Sequence, residues 1–394
     1  MSAPSSSARR SGEGGGIYLN HASASPFSDG VAEVMIAQIE AEARLGKNAA
    51  RAAAREELTS ARACVARLLD TRADNLAFGE TSTALWGTAL CALLGRRSLR
   101  VVTVRNEWGA QLLTLQALSR RGMIDVEILP TSEDGRFDPD DLARAARDAD
   151  VVSVPLVPSL SGMRNDIVTL DDSDALLFVD AAQAVGQMPV SAAPADVLTF
   201  PARKWLGGPR GVAAMHVSDR ALDRMSEPLI LDQGGGTWAA EGFEPVASAA
   251  RFERHDFDVA ARLGMGQAAR ACLDAGPARI EGRIGDLSRH LVTRWAERGM
   301  PGFVERPGAG ATGIWTFTSP GIRGPDDIDA LEAAGVTVAG IGANYGRLAL
   351  ADRRTDFVVR LALHHTDRQE TIDVAIDRIA ATLESGRSGH GSRT

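Results

Sequence analysis

The feature that most constrains the fold of this chain is a series of short apolar segments that do not alternate with polar residues. Residues 151–154 read VVSV and residues 176–179 read LLFV, without the period of a strand that has one face in water. A strand that is covered on both faces needs this composition. Because such segments alternate with helical ones, we predict the α/β class, with a mostly parallel sheet between two layers of helices.

The order of the segments predicts a large unit followed by a smaller one. Strands are predicted over residues 76–78, 99–104, 124–129, 151–156, 175–180, 197–200 and 212–216, and helices over 29–70 with a break at 46–48, from about 84, over 110–121 and over 139–147. A glycine run at 233–236 interrupts this pattern. It is followed by helices over 256–275 and 277–298, strands over 313–318, 336–338 and 357–363, and a closing helix over 367–384.

The length of the chain predicts two domains. It has 394 residues, whereas one hydrophobic core stops growing near ~250–300. We predict a large domain over residues 17–255, which includes an N-terminal segment, and a linking helix with a small α+β domain over residues 256–385. The ends, residues 1–16 and 386–394, are rich in Ser, Gly and Arg and are predicted to be flexible tails.

Composition excludes several classes of protein. With 44% apolar residues the chain can form real cores, and its net charge of -8 argues against a nucleic-acid partner. The chain has no run of ~18 apolar residues, so no membrane span is predicted. It also has no apolar segment near the start that would predict a signal peptide, so a cytoplasmic protein is expected. The three cysteines lack the spacing of a metal site or a disulfide scaffold, so no metal is predicted; they are Cys64, Cys91 and Cys272.

Residues 178–211 carry the strongest chemical signal. Asp180 ends an apolar segment, which in an open parallel sheet is the edge where ligands bind, and Gln183 follows three residues later. A second apolar segment ends just before Lys204, which precedes a glycine turn. Taken alone, Asp180 is better explained as a helix cap and Lys204 as a solvated loop charge. Together they favour a site in which a lysine of lowered pKa forms a Schiff base.

This arrangement resembles the class V aminotransferase and cysteine desulfurase superfamily of fold-type I enzymes, over residues 17–384. The resemblance implies pyridoxal 5'-phosphate as the cofactor. It implies that Lys204 forms the Schiff base, that Asp180 pairs with the pyridine nitrogen and that Gln183 pairs with the ring oxygen. An aspartate in this position keeps the ring nitrogen protonated and makes the ring an electron sink.

The same resemblance assigns the other cofactor contacts. The turn before the helix that starts near residue 84 is expected to hold the cofactor phosphate through Thr81, Ser82 and Thr83, although a plain N-cap explains these residues as well. Trp108 follows the strand at 99–104 and is expected to stack on the cofactor ring; the alternative is a core tryptophan.

Substrate contacts are implied at both ends of the chain. Arg360 is expected to bind the substrate α-carboxylate through its planar fork, against the alternative of a surface arginine in a strand. The other residues implied to face the substrate are Ser159, Asn20 and His21. The roles of His364 and His365 stay open.

Three departures from the family pattern affect the phosphate site. Pro201 and Ala202 stand where relatives carry a serine, and Arg203 replaces the usual histidine before the lysine, so Arg203 is a candidate to neutralise the phosphate. The Glu-Ala-Gly-Thr segment, whose threonine reaches the neighbouring subunit, is replaced by residues 253–256, which read ERHD. Thr237 is the other candidate for that contact. Family members are usually homodimers, so we expect a homodimer.

One departure bears on the reaction. Cysteine desulfurases carry a nucleophilic cysteine in a loop of the small domain, and residues 340–357 contain none. The chain is therefore most similar to the C–S lyases of the ergothioneine and lincosamide pathways. We expect β-elimination of a cysteine S-conjugate to a thiol, pyruvate and ammonia, in secondary metabolism. A decarboxylating oxidative deaminase, an aminotransferase, an epimerase and a non-catalytic binding protein are the alternatives. The S-linked group, and which bond at the α-carbon breaks, are left open.

Overall fold

A computed structural model describes residues 16–95, 97–132, 135–166, 170, 173–303, 312–319 and 324–390. Most of the predicted N-terminal tail and the last four residues of the predicted C-terminal tail lie outside these ranges. Within them, no helix combines the length and the apolar composition needed to cross a bilayer.

Fourteen strands are described. In chain order they are β1 (Ile17–Tyr18), β2 (Leu76–Gly79), β3 (Leu99–Val104), β4 (Ile124–Leu129), β5 (Val151–Pro155), β6 (Leu176–Asp180), β7 (Val197–Pro201), β8 (Ala213–Val217), β9 (Gly236–Ala239), β10 (Gly242–Pro245), β11 (Ile314–Phe317), β12 (Val336–Thr337), β13 (Ala339–Gly342) and β14 (Phe357–Ala362).

Twelve α-helices accompany the described strands. They are α1 (Val31–Leu45), α2 (Lys47–Ala53), α3 (Arg55–Leu68), α4 (Ser82–Cys91), α5 (Gly109–Arg120), α6 (Pro139–Ala146), α7 (Asp219–Arg224), α8 (Val259–Ala275), α9 (Pro277–Glu297), α10 (Pro325–Ala333), α11 (Ala343–Asp352) and α12 (Gln369–His390).

The large unit is built on a seven-stranded sheet in the order β2-β8-β7-β6-β5-β3-β4. Strands β7, β6, β5, β3 and β4 run parallel to one another, and β8 is antiparallel to both β2 and β7. Every residue of β5, β6, β7 and β8 is buried. The predicted mostly parallel sheet with strands covered on both faces is therefore confirmed.

The side chains of one strand divide between two hydrophobic cores. Leu177 and Val179 of β6 belong to a core with helices α3 and α8, whereas Leu176 and Phe178 belong to a core with helix α4. Successive residues of a strand point to opposite faces, so an apolar strand without alternation is what a sheet between two helical layers requires.

The smaller unit contains an antiparallel sheet in the order β11-β14-β13. The N-terminal strand β1 crosses to this end of the molecule and pairs in parallel with β12, where Ile17 faces Val336. A further bridge joins Asn20 to Ala362 of β14. The N-terminal segment therefore lies between the two units, next to the end of β14.

Several elements differ from the sequence predictions. The predicted break at 46–48 falls at Gly46, where φ is 81°, and a second break at Ala54 divides the expected helix again. Helices α7, α10 and α11 and the hairpin β9–β10 were not predicted, because such short elements give little periodic signal. Helix α12 extends to His390, so the beginning of the predicted C-terminal tail is helical.

Candidate active site

The candidate site begins where two neighbouring parallel strands end. Asp180 is the last residue of β6 and pairs in register with Thr199 of β7, and Lys204 follows three residues after the end of β7. Parallel neighbours place their carboxyl ends at one edge of the sheet. Both charged residues are buried: Asp180 has 7% of its surface exposed and Lys204 has 6%. The fold brings together the two residues that the sequence singled out.

The environment of Lys204 favours its neutral form. The pKa of its amine is lowered to about 7: burial is the largest cause, Asp180 opposes it, and the charges of Arg203 and Arg360 add to the lowering. The dominant cause is desolvation, which penalises the charged form of a lysine. A neutral amine near pH 7 is a nucleophile toward an aldehyde and a base toward an acidic C–H bond.

Trp108 lies against this lysine. Its ring centroid is 5.4 Å from the Lys204 Nζ atom, and the residue precedes the first turn of α5. Tyr345 of α11 stacks on the same indole with centroids 6.1 Å apart. Glycine at position 109 permits this approach, since a Cβ atom there would lie 3.0 Å from the Tyr345 carbonyl oxygen. Trp108 is thus held as an aromatic wall beside Lys204; its stacking on a cofactor ring stays a prediction.

Asp180 is held by hydrogen bonds from its own strand end and from α5. The Ala182 N–H donates to Oδ1 at 2.8 Å. The Gln111 amide, oriented so that its nitrogen faces acceptors, donates to Asp180 Oδ2 at 3.2 Å and to Glu107 Oε1 at 2.9 Å. Burial raises the pKa of Asp180, and the nearby charge of Lys204 lowers it. Its carboxylate is therefore held in one orientation.

Glu107 is a buried carboxyl group of this site that the sequence analysis missed. It accepts hydrogen bonds from the Trp108 N–H at 2.7 Å and from Ser153 Oγ at 3.0 Å. Burial, and secondarily the charge of Asp180, raises the pKa of Glu107 to about 8. Glu107 lies just after the end of β3, and Asp180 is the last residue of β6. The rule that ligands bind at the carboxyl ends of parallel strands would therefore have identified Glu107 as well.

Gln183 is buried behind the lysine, and its amide has protein partners. Its nitrogen donates to the Ala22 carbonyl at 3.1 Å, and its oxygen accepts from Trp205 Nε1 at 2.8 Å. An amide nitrogen carries two hydrogens, so one more bond can be donated. The contact of Gln183 with a cofactor oxygen stays a prediction, and the structure adds a packing role for this residue.

Arg360 reaches the site from β14 of the smaller unit. Its Nη1 donates to the Ser159 carbonyl at 3.1 Å and its Nη2 to Ser23 Oγ at 2.7 Å. Its Nε is buried and has no hydrogen-bond partner among the described residues. Burial lowers its pKa to about 10, so it remains a cation at neutral pH. A buried guanidinium with a donor to spare is suited to a carboxylate ligand.

The remaining substrate candidates lie around this arginine. Ser159 contacts Arg360 through its backbone carbonyl rather than its hydroxyl. The Asn20 Oδ1 atom is buried and lacks a hydrogen-bond partner within the described ranges. His21 stacks on His364 with centroids 4.6 Å apart, and its Nδ1 is 2.9 Å from Ser25 Oγ. Asn20 thus offers an unused acceptor, whereas His21 packs among other rings.

The residues predicted to bind the cofactor phosphate differ in their surroundings. Thr81 caps α4, because its Oγ1 accepts from the Ala84 N–H at 3.1 Å, so the N-cap explanation accounts for this hydroxyl. Ser82 and Thr83 form the first turn of α4, where backbone N–H groups favour an anion. Thr237 lies exposed on β9, paired with Glu244.

Arg203 is a half-buried cation beside Lys204. Burial lowers its pKa, as does the charge of Arg210, while Asp180 raises it. The described donor set now contains a buried amine, a held carboxylate, an aromatic wall, cations and a helix N-terminus. This set fits a flat anionic heterocycle that carries an aldehyde.

Three comparisons relate the chain to known proteins. The profile of the family described as Aminotransferase class-V matches residues 17–374. The chain is 29% identical over 289 residues to the "Probable hercynylcysteine sulfoxide lyase" of Mycobacterium tuberculosis (strain CDC 1551 / Oshkosh), which covers 70% of this chain and 69% of that protein. It is also 29% identical over 273 residues to the cysteine desulfurase IscS of Pasteurella multocida (strain Pm70), covering 65% and 63%.

A solved structure confirms the fold. A variant of C-DES with glycine covalently linked to the PLP cofactor superposes with a TM-score of 0.82 at 18% identity, covering 96% of this chain and 99% of that chain. The predicted α/β fold is therefore confirmed, whereas the similarity in sequence extends to both a lyase and a desulfurase.

Proposed function

Because this chain belongs to the class-V aminotransferase family, we propose that it is a C–S lyase that uses pyridoxal 5'-phosphate to split a cysteine S-conjugate into a thiol, pyruvate and ammonia. The observation that carries the proposal is the buried Lys204 amine, beside the Asp180 carboxylate and the Trp108 ring, in a chain whose residues 340–357 contain no cysteine. When bound, the cofactor supplies an electron sink for the bond that breaks at the α-carbon.

The cofactor fits the donor set described above. Lys204 would hold its aldehyde carbon, Asp180 its ring nitrogen, and Trp108 one face of its ring. Ser82, Thr83 and Arg203 would hold its phosphate, and Gln183 has one N–H left for a ring oxygen. These roles are those implied by the family resemblance, and the burial and contacts of the residues support them.

Lys204 then acts as the base for the substrate. A pKa of about 7 leaves its amine largely neutral under physiological conditions, so it accepts the proton from the substrate α-carbon. The sulfur leaves from the β-carbon with the electron pair of the C–S bond, and water releases pyruvate and ammonia from the remaining three-carbon unit.

Arg360 orients the substrate. Its fork is fixed by Ser23 and by the Ser159 carbonyl, and its buried Nε is available for the α-carboxylate. A carboxylate held in one plane fixes which bond of the α-carbon faces the electron sink. Asn20, on the segment next to β14, is the nearest candidate for a contact with the rest of the substrate.

The cysteines of the chain favour a lyase over a desulfurase. Cys64 and Cys272 are buried in the core of the large unit, and burial raises the pKa of Cys272 to about 12. Burial also raises the pKa of Cys91 on α4. A thiol is a nucleophile only as its thiolate, so Cys91 and Cys272 are poorly suited to take sulfur from the substrate, and Cys64 is enclosed in the core. Residues 343–352, near the position of the desulfurase loop, form helix α11 instead.

The test is a panel of cysteine S-conjugates, including a sulfoxide, offered to the cofactor-loaded protein. Pyruvate, ammonia and a free thiol or sulfenic acid in equal amounts are expected, with no pyruvate from Lys204→Ala. Alanine with persulfide indicates a desulfurase, and dependence on a keto acid indicates an aminotransferase. Oxygen consumption with CO₂ indicates the oxidative deaminase, and racemised substrate indicates the epimerase. If the cofactor does not bind at all, the remaining alternative is a non-catalytic binding protein.

The proposal also includes a homodimer in the cytoplasm that serves secondary metabolism. The hairpin β9–β10 and the segment before it expose large apolar side chains, among them Trp238 at 80% and Leu229 at 71%. Exposed apolar surface of this kind marks an interaction site, which supports self-association. Analytical ultracentrifugation of the wild type and of Trp238→Ser tests it, with dissociation of the variant as the expected result.

A further inference from the structure

Beneath Lys204, two buried carboxyl groups are bridged by one amide. Gln111 on α5 is 1% exposed and lies between Glu107 and Asp180. Its nitrogen is 2.9 Å from Glu107 Oε1 and 3.2 Å from Asp180 Oδ2. Because an amide nitrogen carries two hydrogens, it can donate one to each carboxyl group at the same time.

The bridge continues away from the site as a chain of buried hydrogen bonds. Ser153 Oγ of β5 donates to Glu107 Oε2 at 3.0 Å, and Trp86 Nε1 of α4 donates to Ser153 Oγ at 3.1 Å. The Trp86 ring packs edge-on against Phe178, two residues before Asp180 on β6, with centroids 6.4 Å apart. The network therefore starts and ends on the same strand, which fixes the position of each member.

Charge is distributed unevenly across the bridge. The positive charges of Lys204 and Arg203 lie near Asp180 and favour its ionised form. From β6, Asp180 is the charged group that faces Glu107 and opposes its ionisation. The hydrogen bonds from the Trp108 N–H and from the hydroxyls of Ser153 and Thr103 favour the ionised form. Two buried carboxyl groups this close do not both ionise readily. One negative charge, located on Asp180, is the arrangement of lower energy at neutral pH.

We propose that Gln111 is a positioning residue: by donating to Glu107 and to Asp180 at the same time, it holds the Asp180 carboxylate in the orientation that meets the cofactor ring nitrogen. The inference rests on the proposed function, because it takes pyridoxal phosphate as the occupant of the site. Glu107 thereby acts on the ring through Gln111 and Asp180 and not by contact.

The test observes the ring nitrogen directly. Protein loaded with pyridoxal phosphate carrying ¹⁵N in its ring is titrated by NMR from pH 6 to 9, and cofactor affinity is measured by equilibrium dialysis. In Gln111→Leu we expect the ¹⁵N shift at pH 7 to move toward that of an unprotonated ring, and affinity to fall about tenfold, as for a lost bond to a charged group. Gln38→Leu is the matched control, since Gln38 is a buried amide on α1 that donates to Glu42 at 3.0 Å.

A second variant keeps the inference testable if Gln111→Leu does not fold. Burial raises the pKa of Glu107, so its ionisation on the alkaline side of neutral pH predicts a step in the wild-type ¹⁵N shift there, which Glu107→Gln should abolish. The inference is overturned if Gln111→Leu binds the cofactor with an unchanged ¹⁵N shift, if the wild type shows no such step, or if the step persists in Glu107→Gln. A wild type that never attaches pyridoxal phosphate overturns the proposed function itself, and this outcome is recognised before any variant is compared.

Discussion

The nucleophilicity of Lys204 in the protein without cofactor is a direct consequence of its burial. With a pKa of about 7, about three-quarters of the amine is neutral at pH 7.5, compared with about one part in a thousand for a lysine of ordinary pKa near 10.5. At equal intrinsic reactivity, Lys204 should therefore attach pyridoxal phosphate about 800-fold faster than an exposed lysine at this pH. The expected rate profile rises with pH through a midpoint near 7 and is flat above about pH 8.

The assay follows the absorbance change of cofactor attachment by stopped flow between pH 5.5 and 10. Two variants should shift the midpoint of the pH–rate profile in opposite directions, so the experiment tests the direction of each effect as well as its magnitude. Arg203→Gln removes a cation that lowers the pKa of Lys204, so the midpoint should rise. Asp180→Asn removes the anion that raises it, so the midpoint should fall. A wild-type rate that keeps increasing up to pH 10 would refute the reasoning.

Three further predictions concern substrate binding, packing and stability. Arg360→Lys keeps the charge but loses the fork held by Ser23, so KM for a cysteine conjugate should increase by about tenfold or more in steady-state kinetics, and an unchanged KM argues against carboxylate binding. Gly186→Ala places a Cβ atom 2.4 Å from the Leu206 nitrogen at a φ of +98° and should cost about 3 kcal/mol in urea unfolding, whereas Gly122→Ala, with a φ of +69° and open space, should cost about 1 kcal/mol; equal losses would contradict the packing argument. Lys204→Met should raise the Tm of the apoprotein at pH 7. Between pH about 7 and 10.5, Lys204 is neutral in the folded wild type but protonated in the unfolded chain. The stability of the wild type therefore rises with pH across that window. The Tm advantage of Lys204→Met should disappear toward pH 10.5.

Much of the fold was predictable, because the strands of the central sheet are short and apolar on both faces. The bounds of β3 and β4 agree with the prediction, and those of β5, β6 and β7 differ by one residue at one end. The elements that were missed, such as α11 and the hairpin β9–β10, are short. Their periodicity is weak, and packing determines their conformation.

The candidate site was predictable to the extent that it lies at strand ends. Asp180 and Lys204 each follow an apolar strand, and the topology of parallel neighbours brings such ends together. Glu107 obeys the same rule, since it lies three residues after the end of β3. Arg360 could be named from its strand, but its partner Ser23 lies 337 positions away along the chain.

What the local sequence determined is therefore the class of fold and the kind of chemistry, since strand composition and the residue types at strand ends are local properties. Tertiary structure alone decided the state of those residues. Desolvation of Lys204, the amide bridge between Glu107 and Asp180, and the protein partners of the Gln183 amide each depend on groups that only folding brings together. Electrostatic energy depends on distance and burial in space, and neither is encoded in the spacing of residues along the chain.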